Sequence, residues 1–192
     1  MKQWPKPRVV VSQCLGFEAC RYNGQIIDDP IARQLREYVD YVPVCAEVEI
    51  GLGVPRDPVR VVERAGDQRL LQPATGLDHT ERMRAFAGQF LDQVGEVDGF
   101  LLKSRSPSCG IKDTKVYGEA GEIPLTGKAA GFFGAAVLER FGHLAVEDEG
   151  RLTNYTLREH FLTRLYTWAD WRAVRAAHEM GAWVHVDGAF GF

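Results

Sequence analysis

Three cysteines in this sequence each lie at or just past the end of a short apolar run. They are Cys14, Cys45 and Cys109, and the runs are 8–13, 41–45 and 99–103. If these runs are parallel strands, the three thiols meet at the carboxyl edge of one sheet, which is where open α/β folds bind their ligands. Three thiolates at one point are typical of a metal or iron–sulfur site with one ligand position left open for chemistry.

The spacing of the cysteines argues against other thiol chemistry. The chain of 192 residues has 4 cysteines and no C-x-x-C pair, which disfavours a zinc ribbon or a thioredoxin-type site. Residues 1–7 are polar and lack the apolar region of a signal peptide. We therefore expect a cytoplasmic, reducing compartment, in which a disulfide framework is also disfavoured.

The fourth cysteine, Cys20, does not follow a predicted strand directly. We expect it to be an ordinary buried thiol that lies off the strand tip, because free cysteine behaves as a small hydrophobic residue. A fourth thiolate would also close the site.

A carboxylate follows the second of the three cysteines. Glu47 comes two residues after Cys45, and beside a metal-bound electrophile it is a candidate general base for water. It could equally be a solvated acid in the first turn of a helix. Glu49 is the rival acid and is predicted to be structural, and Arg56 is a candidate anion contact.

The segment before the third cysteine is rich in hydrogen-bond donors. Residues 102–110 read LKSRSPSCG, and their hydroxyl and backbone N–H groups could bond to cluster sulfurs or to ligand oxygens. The Ser-Pro-Ser part is also ordinary turn chemistry, but turn chemistry does not explain the thiol.

Composition limits the partners. The net charge is −3 and 45% of the residues are hydrophobic, so no basic face for duplex nucleic acid is expected. A small anionic ligand held by a few arginines remains compatible with this charge. No apolar stretch approaches the length of a membrane span, and both a monomer and a dimer fit the sequence.

The elements that must position the cysteines alternate between strand and helix. Helices are predicted over 29–39, 80–94 and 126–140, and a fourth strand over 143–146. This order predicts an α/β fold with a mostly parallel, doubly wound (Rossmann-like) sheet and helices on both faces. Residues 51–75 are rich in Gly and Pro and are predicted to be an excursion rather than a core element.

After residues 149–150 the pattern changes. Residues 151–175 form one helical pattern rich in large apolar side chains, which must pack on something to avoid a large exposed patch. We therefore predict a C-terminal helical appendage.

Taken together, four motifs in order resemble one bacterial family, the thiouracil desulfurases (desulfidases). They are S-x-C-L-G-x-x-x-C-R-Y-x-G at 12–24, V-C-x-E-x-x-x-G-L-x-x-P-R at 44–56, G-x-D-x-T at 76–80 and LKSRSPSCG at 102–110. The resemblance runs from about 8 to 149 and divides the chain into a cluster-binding desulfidase domain, 1–149, and a truncated helical appendage and tail, 150–192. The appendage looks like the opening of a second domain that often follows in this family.

The resemblance implies a [4Fe-4S] cluster held by Cys14, Cys45 and Cys109, with one open iron for the sulfur of a thiolated pyrimidine. Glu47 would activate water in a hydrolytic, non-redox reaction that yields a uracil derivative and hydrogen sulfide. Ser106 is the candidate proton relay or ring hydrogen-bond partner, with Ser104 and Ser108 as rivals.

The substrate implied is thiouracil, 4-thiouridine or the monophosphate of 4-thiouridine. Five residues are candidates for binding it, four of them as a grip on a phosphate: Arg21, Tyr22, Lys103, Ser104 and Arg105, of which Tyr22 would line the pocket.

Two other classes of function stay open at this point. One is a non-catalytic metal-binding or sulfur-carrier module. The other is a Cys–His hydrolase, which needs a histidine near a thiol. The histidines lie outside the three thiol segments, and only His79 and His143 precede the appendage.

The tail has a separate resemblance. Residues 177–191 resemble a strand of the pyridoxal-phosphate decarboxylases that supplies an Asp to the cofactor ring. No matching lysine motif is present, so we interpret this segment as functionless, either a fusion junction or an ordinary strand.

Overall fold

The computed structural model describes residues 5–119 and 123–182. Its helices and strands in chain order are β1 Arg8–Ser12, α1 Pro30–Leu35, β2 Asp40–Val44, α2 Ala46–Glu49, β3 Arg60–Arg64, β4 Asp67–Gln72, β5 Leu77–Asp78, α3 Thr80–Gln93, β6 Gly99–Leu102, β7 Thr114–Tyr117, β8 Pro124–Ala129, α4 Phe132–Phe141, β9 Ala145–Asp148, a 3₁₀ turn Arg151–Thr153 and α5 Tyr155–Glu179.

Strands β2, β1, β6 and β9 form a sheet in that order, and every neighbouring pair is parallel. The sheet is buried on both faces, which explains why β1 and β6 read as continuous apolar runs. Val10 and Phe100 face a core formed with α3 and α4, while Val9 and Leu101 face a second core formed with α1 and α5. The predicted α/β class with helices on both faces is confirmed.

The prediction that 51–75 is only an excursion is wrong. These residues supply β3 and β4 of a second, mixed sheet, ordered β5-β4-β3-β7-β8. Val61 and Leu70 are fully buried, and Leu70 packs in the same core as α3. The alternation at 59–63 is visible in the sequence, but the Gly- and Pro-rich composition of the surrounding loops and turns hid the contribution of these strands to the core.

The predicted helix over 126–140 is wrong in its first part. Pro124–Ala129 forms β8, which pairs antiparallel with β7, and α4 begins only at Phe132. Pairing across the sheet therefore overrides the Ala- and Gly-rich local pattern. Two smaller differences are the early end of α1 at Leu35 and the later position of β9, Ala145–Asp148.

Helix α5 packs tightly on the parallel sheet. Phe161 and Leu165 are buried against Val9 and Ala145. A Cβ atom at Gly99 would lie 2.5 Å from the Ala145 carbonyl oxygen and 2.9 Å from Leu165 Cδ1, so only glycine allows this close approach. The segment 177–191, which resembles a strand of the pyridoxal-phosphate decarboxylases, begins as the last turn of α5, which ends at Glu179. Residues 183–192 lie outside the described residues. Within the described ranges, none of the helices combines the length and the apolar character that crossing a bilayer requires.

Candidate active site

The carboxyl ends of β2, β1 and β6 lie side by side because these strands are consecutive in the parallel sheet. The Gln13 N–H donates to the Val44 carbonyl at 2.9 Å, and the Lys103 N–H donates to Ser12 Oγ at 2.9 Å. The segments that follow the three strands are therefore hydrogen-bonded to one another where they leave the sheet. They enclose one cavity of about 330 Å³, whose wall includes the thiols of Cys14, Cys45 and Cys109.

Cys20 lies in the wall of the same cavity, which corrects the expectation that it lies off the strand tip. Tight turns after β1, including the bond from the Glu18 N–H to the Gln13 carbonyl, bring the chain back to the sheet edge. The Cys45 thiol donates to the Cys20 carbonyl oxygen at 3.7 Å, which holds these two residues together. Cys20 is buried, as expected, but it is part of the thiol cluster.

The surroundings of Cys20, Cys45 and Cys109 raise the pKa of each thiol and so favour its protonated form. The hydrogen bond with Cys14 and burial raise the pKa of Cys20 to about 11. The hydrogen bond with Cys20 and burial raise the pKa of Cys45 far above its usual range. Burial raises the pKa of Cys109 to about 12. A metal centre would have to displace these protons, as it does whenever thiolates bind a metal.

The donor set of this cavity is soft, because it consists mainly of thiols. Thiolates are the ligands of iron–sulfur clusters, and four thiols face this cavity. In the part of the chain that the structure describes, no group of three or more His, Cys, Asp or Glu side chains is spaced to hold one metal ion. A cluster carries its ligands on different metal atoms, so it tolerates thiols that are further apart.

Glu47 extends into the same cavity from the first turn of α2, which begins directly after Cys45. The side chain is largely buried. Its Oε1 accepts a hydrogen bond from Ser108 Oγ at 3.0 Å, and its Oε2 accepts one from Arg56 Nε at 2.9 Å. Glu49, the rival acid, is exposed. The two acids of this short helix therefore differ in their surroundings: Glu47 is buried and hydrogen-bonded, whereas Glu49 is exposed to solvent.

Arg56 is bound within the protein rather than free to contact an anion, which corrects the sequence interpretation. Besides Glu47, its guanidinium donates to the carbonyls of Cys20 and Gly53, each at 3.0 Å. It therefore supplies the counter-charge for the buried Glu47 carboxylate and ties the Cys20 backbone to it.

The loop between β6 and β7 brings Ser106 to the cavity. Ser106 Oγ accepts hydrogen bonds from the backbone N–H groups of Ser108, at 3.2 Å, and Cys109, at 3.0 Å. Thr114 Oγ1 donates to the Ser106 carbonyl at 2.8 Å. Because its oxygen accepts both bonds, the Ser106 hydroxyl proton is available to donate into the cavity.

Lys103 and Ser104 also line the cavity, but both are bound to Glu149. The Lys103 ammonium lies 2.5 Å from Glu149 Oε1, and Ser104 Oγ donates to the same oxygen at 2.7 Å. Their charge and polarity are therefore largely satisfied inside the protein.

The mouth of the cavity carries Arg21, Tyr22 and Arg105. The Arg21 guanidinium lies 5.6 Å from the centre of the Tyr22 ring, and Arg105 adopts a positive φ of 59° at an exposed loop position. Tyr22 and Arg105 also line an adjacent cleft of about 500 Å³. The five predicted substrate contacts thus share one cavity with the thiols.

None of the histidines in residues 5–119 and 123–182 lines this cavity. His79 is buried at the start of α3, and His143 contacts Phe141 and Trp168. Among the described residues, no histidine therefore lies beside the thiols, where a Cys–His hydrolase would need its base.

Three functional contacts were missed by sequence reasoning: the bond from Ser108 to Glu47, the role of Arg56 as its counter-ion, and the bonds of Glu149 to the loop. For Glu149 a signal was present, since it follows the fourth parallel strand directly and must lie at the same sheet edge. The other two depend on tertiary contacts.

Fold and site together define an α/β protein with a thiol-lined cavity at the carboxyl edge of a parallel sheet. Residues 9–149 match the family described as 2-thiouracil desulfurase. The chain belongs to this family, which confirms the resemblance found in the sequence.

Two known proteins are similar to this chain. The uncharacterized protein YbbK of Bacillus subtilis (strain 168) is 33% identical over 109 residues, which cover 53% of this chain and 72% of that protein. The solved structure of the [4Fe-4S]-dependent thiouracil desulfidase TudS is similar with a TM-score of 0.56 and 30% identity. That match covers 81% of this chain and 99% of TudS.

Proposed function

We propose that this protein is an iron–sulfur-dependent desulfidase that removes sulfur from thiolated pyrimidines: thiouracil, 4-thiouridine or its monophosphate. The observation that carries the proposal is the meeting of three strand-end thiols with the Glu47 carboxylate in one cavity. Membership in the 2-thiouracil desulfurase family and the likeness to a [4Fe-4S]-dependent relative support the same reaction.

Cys14, Cys45 and Cys109 are the residues that would hold a [4Fe-4S] cluster, one from the end of each neighbouring strand. When bound through three thiolates, such a cluster supplies an open iron, a soft Lewis acid suited to a sulfur ligand. Four free thiols are suited to a reducing compartment, and we propose the cytoplasm.

Glu47 is proposed as the general base. Its carboxylate takes a proton from water, and the water oxygen attacks the ring carbon that carries the sulfur. The carbon–sulfur bond then breaks, and the products are the uracil derivative and hydrogen sulfide. Water supplies the oxygen and both protons of the sulfide, so no electrons are gained or lost. Ser108 and Arg56 hold the carboxylate in place.

Ser106 is proposed to donate its hydroxyl proton to the substrate ring. The two backbone N–H groups that Ser106 Oγ accepts hold its oxygen in place, and the hydroxyl keeps its own proton as a donor. The role fits a ring oxygen or nitrogen that gains negative charge as water adds.

The remaining contacts are proposed for the outer part of the substrate. Tyr22 would contact the ring or the ribose, and Arg21 and Arg105 would face a phosphate, since guanidinium groups bind phosphate in a bidentate manner. Lys103 and Ser104, predicted from the sequence as further phosphate contacts, are bound to Glu149 instead and would only border this side of the cavity. The partner is a small molecule, and no membrane or duplex nucleic acid is involved.

The test is anaerobic purification followed by an absorption spectrum, iron and sulfide counts, and measurement of sulfide released from 4-thiouracil. We expect a brown protein that releases sulfide, and loss of both cluster and release in Cys14→Ala, Cys45→Ala and Cys109→Ala. Release that persists unchanged in these variants would overturn the proposal.

A second candidate function is a non-catalytic metal or sulfur-carrier module. The contact of the Cys20 thiol with Cys14 and Cys45 favours it, because a fourth protein ligand would close the site. In that case the cluster of the purified protein would be lost in Cys20→Ser, and no sulfide would be released by the wild type. In an open site, Cys20→Ser keeps the cluster.

A further inference from the structure

Glu149 lies immediately after β9, at the same sheet edge as the thiol-lined cavity. Strand β9 pairs with β6 in a register that places Asp148 opposite Leu102, and the Glu149 N–H reaches the Leu102 carbonyl at 3.4 Å. Glu149 therefore stands beside the first residues of the loop 103–109, which carries Ser106 and Cys109.

The carboxylate of Glu149 binds the start of this loop with both oxygens. Oε2 accepts the Ser104 N–H at 2.7 Å. Oε1 accepts Ser104 Oγ at 2.7 Å and the Lys103 ammonium at 2.5 Å. The side chains of Glu149 and Lys103 are only 11% and 20% exposed, so this ion pair is shielded from solvent.

The three donors of the Lys103 ammonium are all used in this arrangement. One meets Glu149, and the other two meet the Ser104 carbonyl and Ser104 Oγ, each at 3.0 Å. Lys103 therefore acts as a bridge within the protein. The first two residues of the loop are held by a closed set of charge-assisted hydrogen bonds.

The far end of the loop is fixed separately. Thr114 Oγ1 donates to the Ser106 carbonyl, and the Gly110 N–H donates to the same carbonyl at 2.9 Å. Between these two anchors lie the proposed proton donor Ser106 and the proposed ligand Cys109. The middle of the loop is held as well, because the carbonyls of Pro107 and Ser108 accept the Phe132 and Gly134 N–H groups at 3.1 and 2.9 Å. Loss of the Glu149 anchor would therefore release the start of the loop and loosen the position of Ser106 and Cys109.

We infer that Glu149 is a positioning residue for the active site: through Lys103 and Ser104 it fixes the loop that presents Ser106 and Cys109. This inference rests on the proposed function for its catalytic consequences. Glu149 directly follows β9 and lies outside the three sequence motifs that contain the cysteines.

The experiment compares Glu149→Gln and Glu149→Ala with the control Glu147→Gln. Glu147 lies two residues earlier on β9 and binds only Arg151 among the hydrogen bonds seen for its side chain in the described chain, at 2.7 and 3.0 Å. Three quantities are measured: the rate at which an iron chelator bleaches the cluster, kcat and KM for 4-thiouracil, and amide hydrogen exchange at Ser104.

We expect Glu149→Ala to lose its cluster about tenfold faster than the wild type, the order of effect seen when groups supporting a metal ligand are removed. We expect kcat to fall while KM changes little, because the loop positions reacting groups, and Ser104 exchange to accelerate. Glu149→Gln, which keeps an amide oxygen for Ser104, should be intermediate. Glu147→Gln should match the wild type in all three.

Wild-type chelator resistance and wild-type kcat in Glu149→Ala would overturn the inference, as would equal effects in Glu147→Gln. If the wild type retains a cluster but releases no sulfide, the proposed function fails while the chelator rate still tests Glu149. If the wild type holds no cluster, Ser104 exchange in the cluster-free chain is the test, and unchanged exchange in Glu149→Ala contradicts the inference.

Discussion

Arg56 and Glu47 form an ion pair with Nη2 and Oε2 2.8 Å apart at the inner wall of the thiol-lined cavity, and the two side chains are only 6% and 12% exposed. Because Oε2 also accepts from Arg56 Nε, the Arg56 guanidinium occupies one oxygen of the carboxylate. Oε1 accepts from Ser108, 61 residues away in the chain, and retains a lone pair for water. The two oxygens of the Glu47 carboxylate therefore differ, because Arg56 engages Oε2 twice while Oε1 has Ser108 as its hydrogen-bond partner.

The first prediction concerns the base itself. Glu47→Gln should keep the cluster spectrum but lower kcat by at least about 100-fold, since a positioned general base contributes about 10²–10⁴-fold. Glu49→Gln is the matched control, because Glu49 belongs to the same turn of α2 and is exposed. Sulfide release measured beside the absorption spectrum separates the two effects. Equal activity in both variants would remove Glu47 from the mechanism.

The second prediction concerns the counter-ion. Arg56→Met leaves the buried Glu47 carboxylate without its partner, and we expect a loss of about 3 kcal/mol in the free energy of unfolding. Arg33→Met is the control, because the Arg33–Asp28 pair is exposed at 59% and 74% and should cost less than about 1 kcal/mol. Urea unfolding of the cluster-free proteins measures both. Similar losses in the two variants would contradict the distinction.

The third prediction concerns how the free energy of unfolding decreases at acid pH. His79 is buried at the start of α3, and neither ring nitrogen has a hydrogen-bond partner among the described residues. Burial and the nearby Arg82 lower its pKa, against the opposing effect of Asp78. The unfolded chain therefore takes up a proton more readily than the folded one. Stability is fully present above about pH 6.5, the pKa of an unperturbed histidine, and falls as the pH drops towards the lowered folded pKa.

His79→Phe should reduce this acid loss of stability, since the replacement cannot be protonated and breaks no hydrogen bond seen in the structure. Urea midpoints between pH 7 and pH 5 provide the measurement. His160→Gln, at an exposed position of α5, should follow the wild-type pH dependence. The idea fails if His79→Phe shows the same pH dependence as the wild type.

The fourth prediction concerns α5. Leu165→Ala should lower the free energy of unfolding by about 2–5 kcal/mol, the range for truncating a buried leucine, because Leu165 is fully buried on the parallel sheet beside Gly99. Tyr155→Ala at the exposed start of the same helix, where Tyr155 is 67% exposed, is the control and should change stability little. Equal midpoints for the two variants in urea would show that α5 adds no packing energy.

The division of the chain at 149–150 stays a prediction.

The parallel sheet was predictable because its strands are buried on both faces, and buried parallel strands read as apolar runs in any chain. The runs before Cys14, Cys45 and Cys109 each became a strand of that sheet. The second sheet was not predictable in the same way. Its strand β8, with the sequence PLTGKA, is exposed along most of its length and shows no apolar alternation. It pairs with β7, and pairing of that kind has no local signature.

By itself, the sequence determined the class of the fold, the strand ends that carry the thiols, and the family, since these follow from apolar runs and ordered motifs along the chain. Only the tertiary structure decided that Cys20 returns to the thiol cluster, that Arg56 pairs with Glu47 rather than with an anion, and that Glu149 binds Lys103 and Ser104. The physical reason is that a side chain's partners depend on which distant segments the folded backbone brings within hydrogen-bond reach, and that distance is not encoded in local spacing.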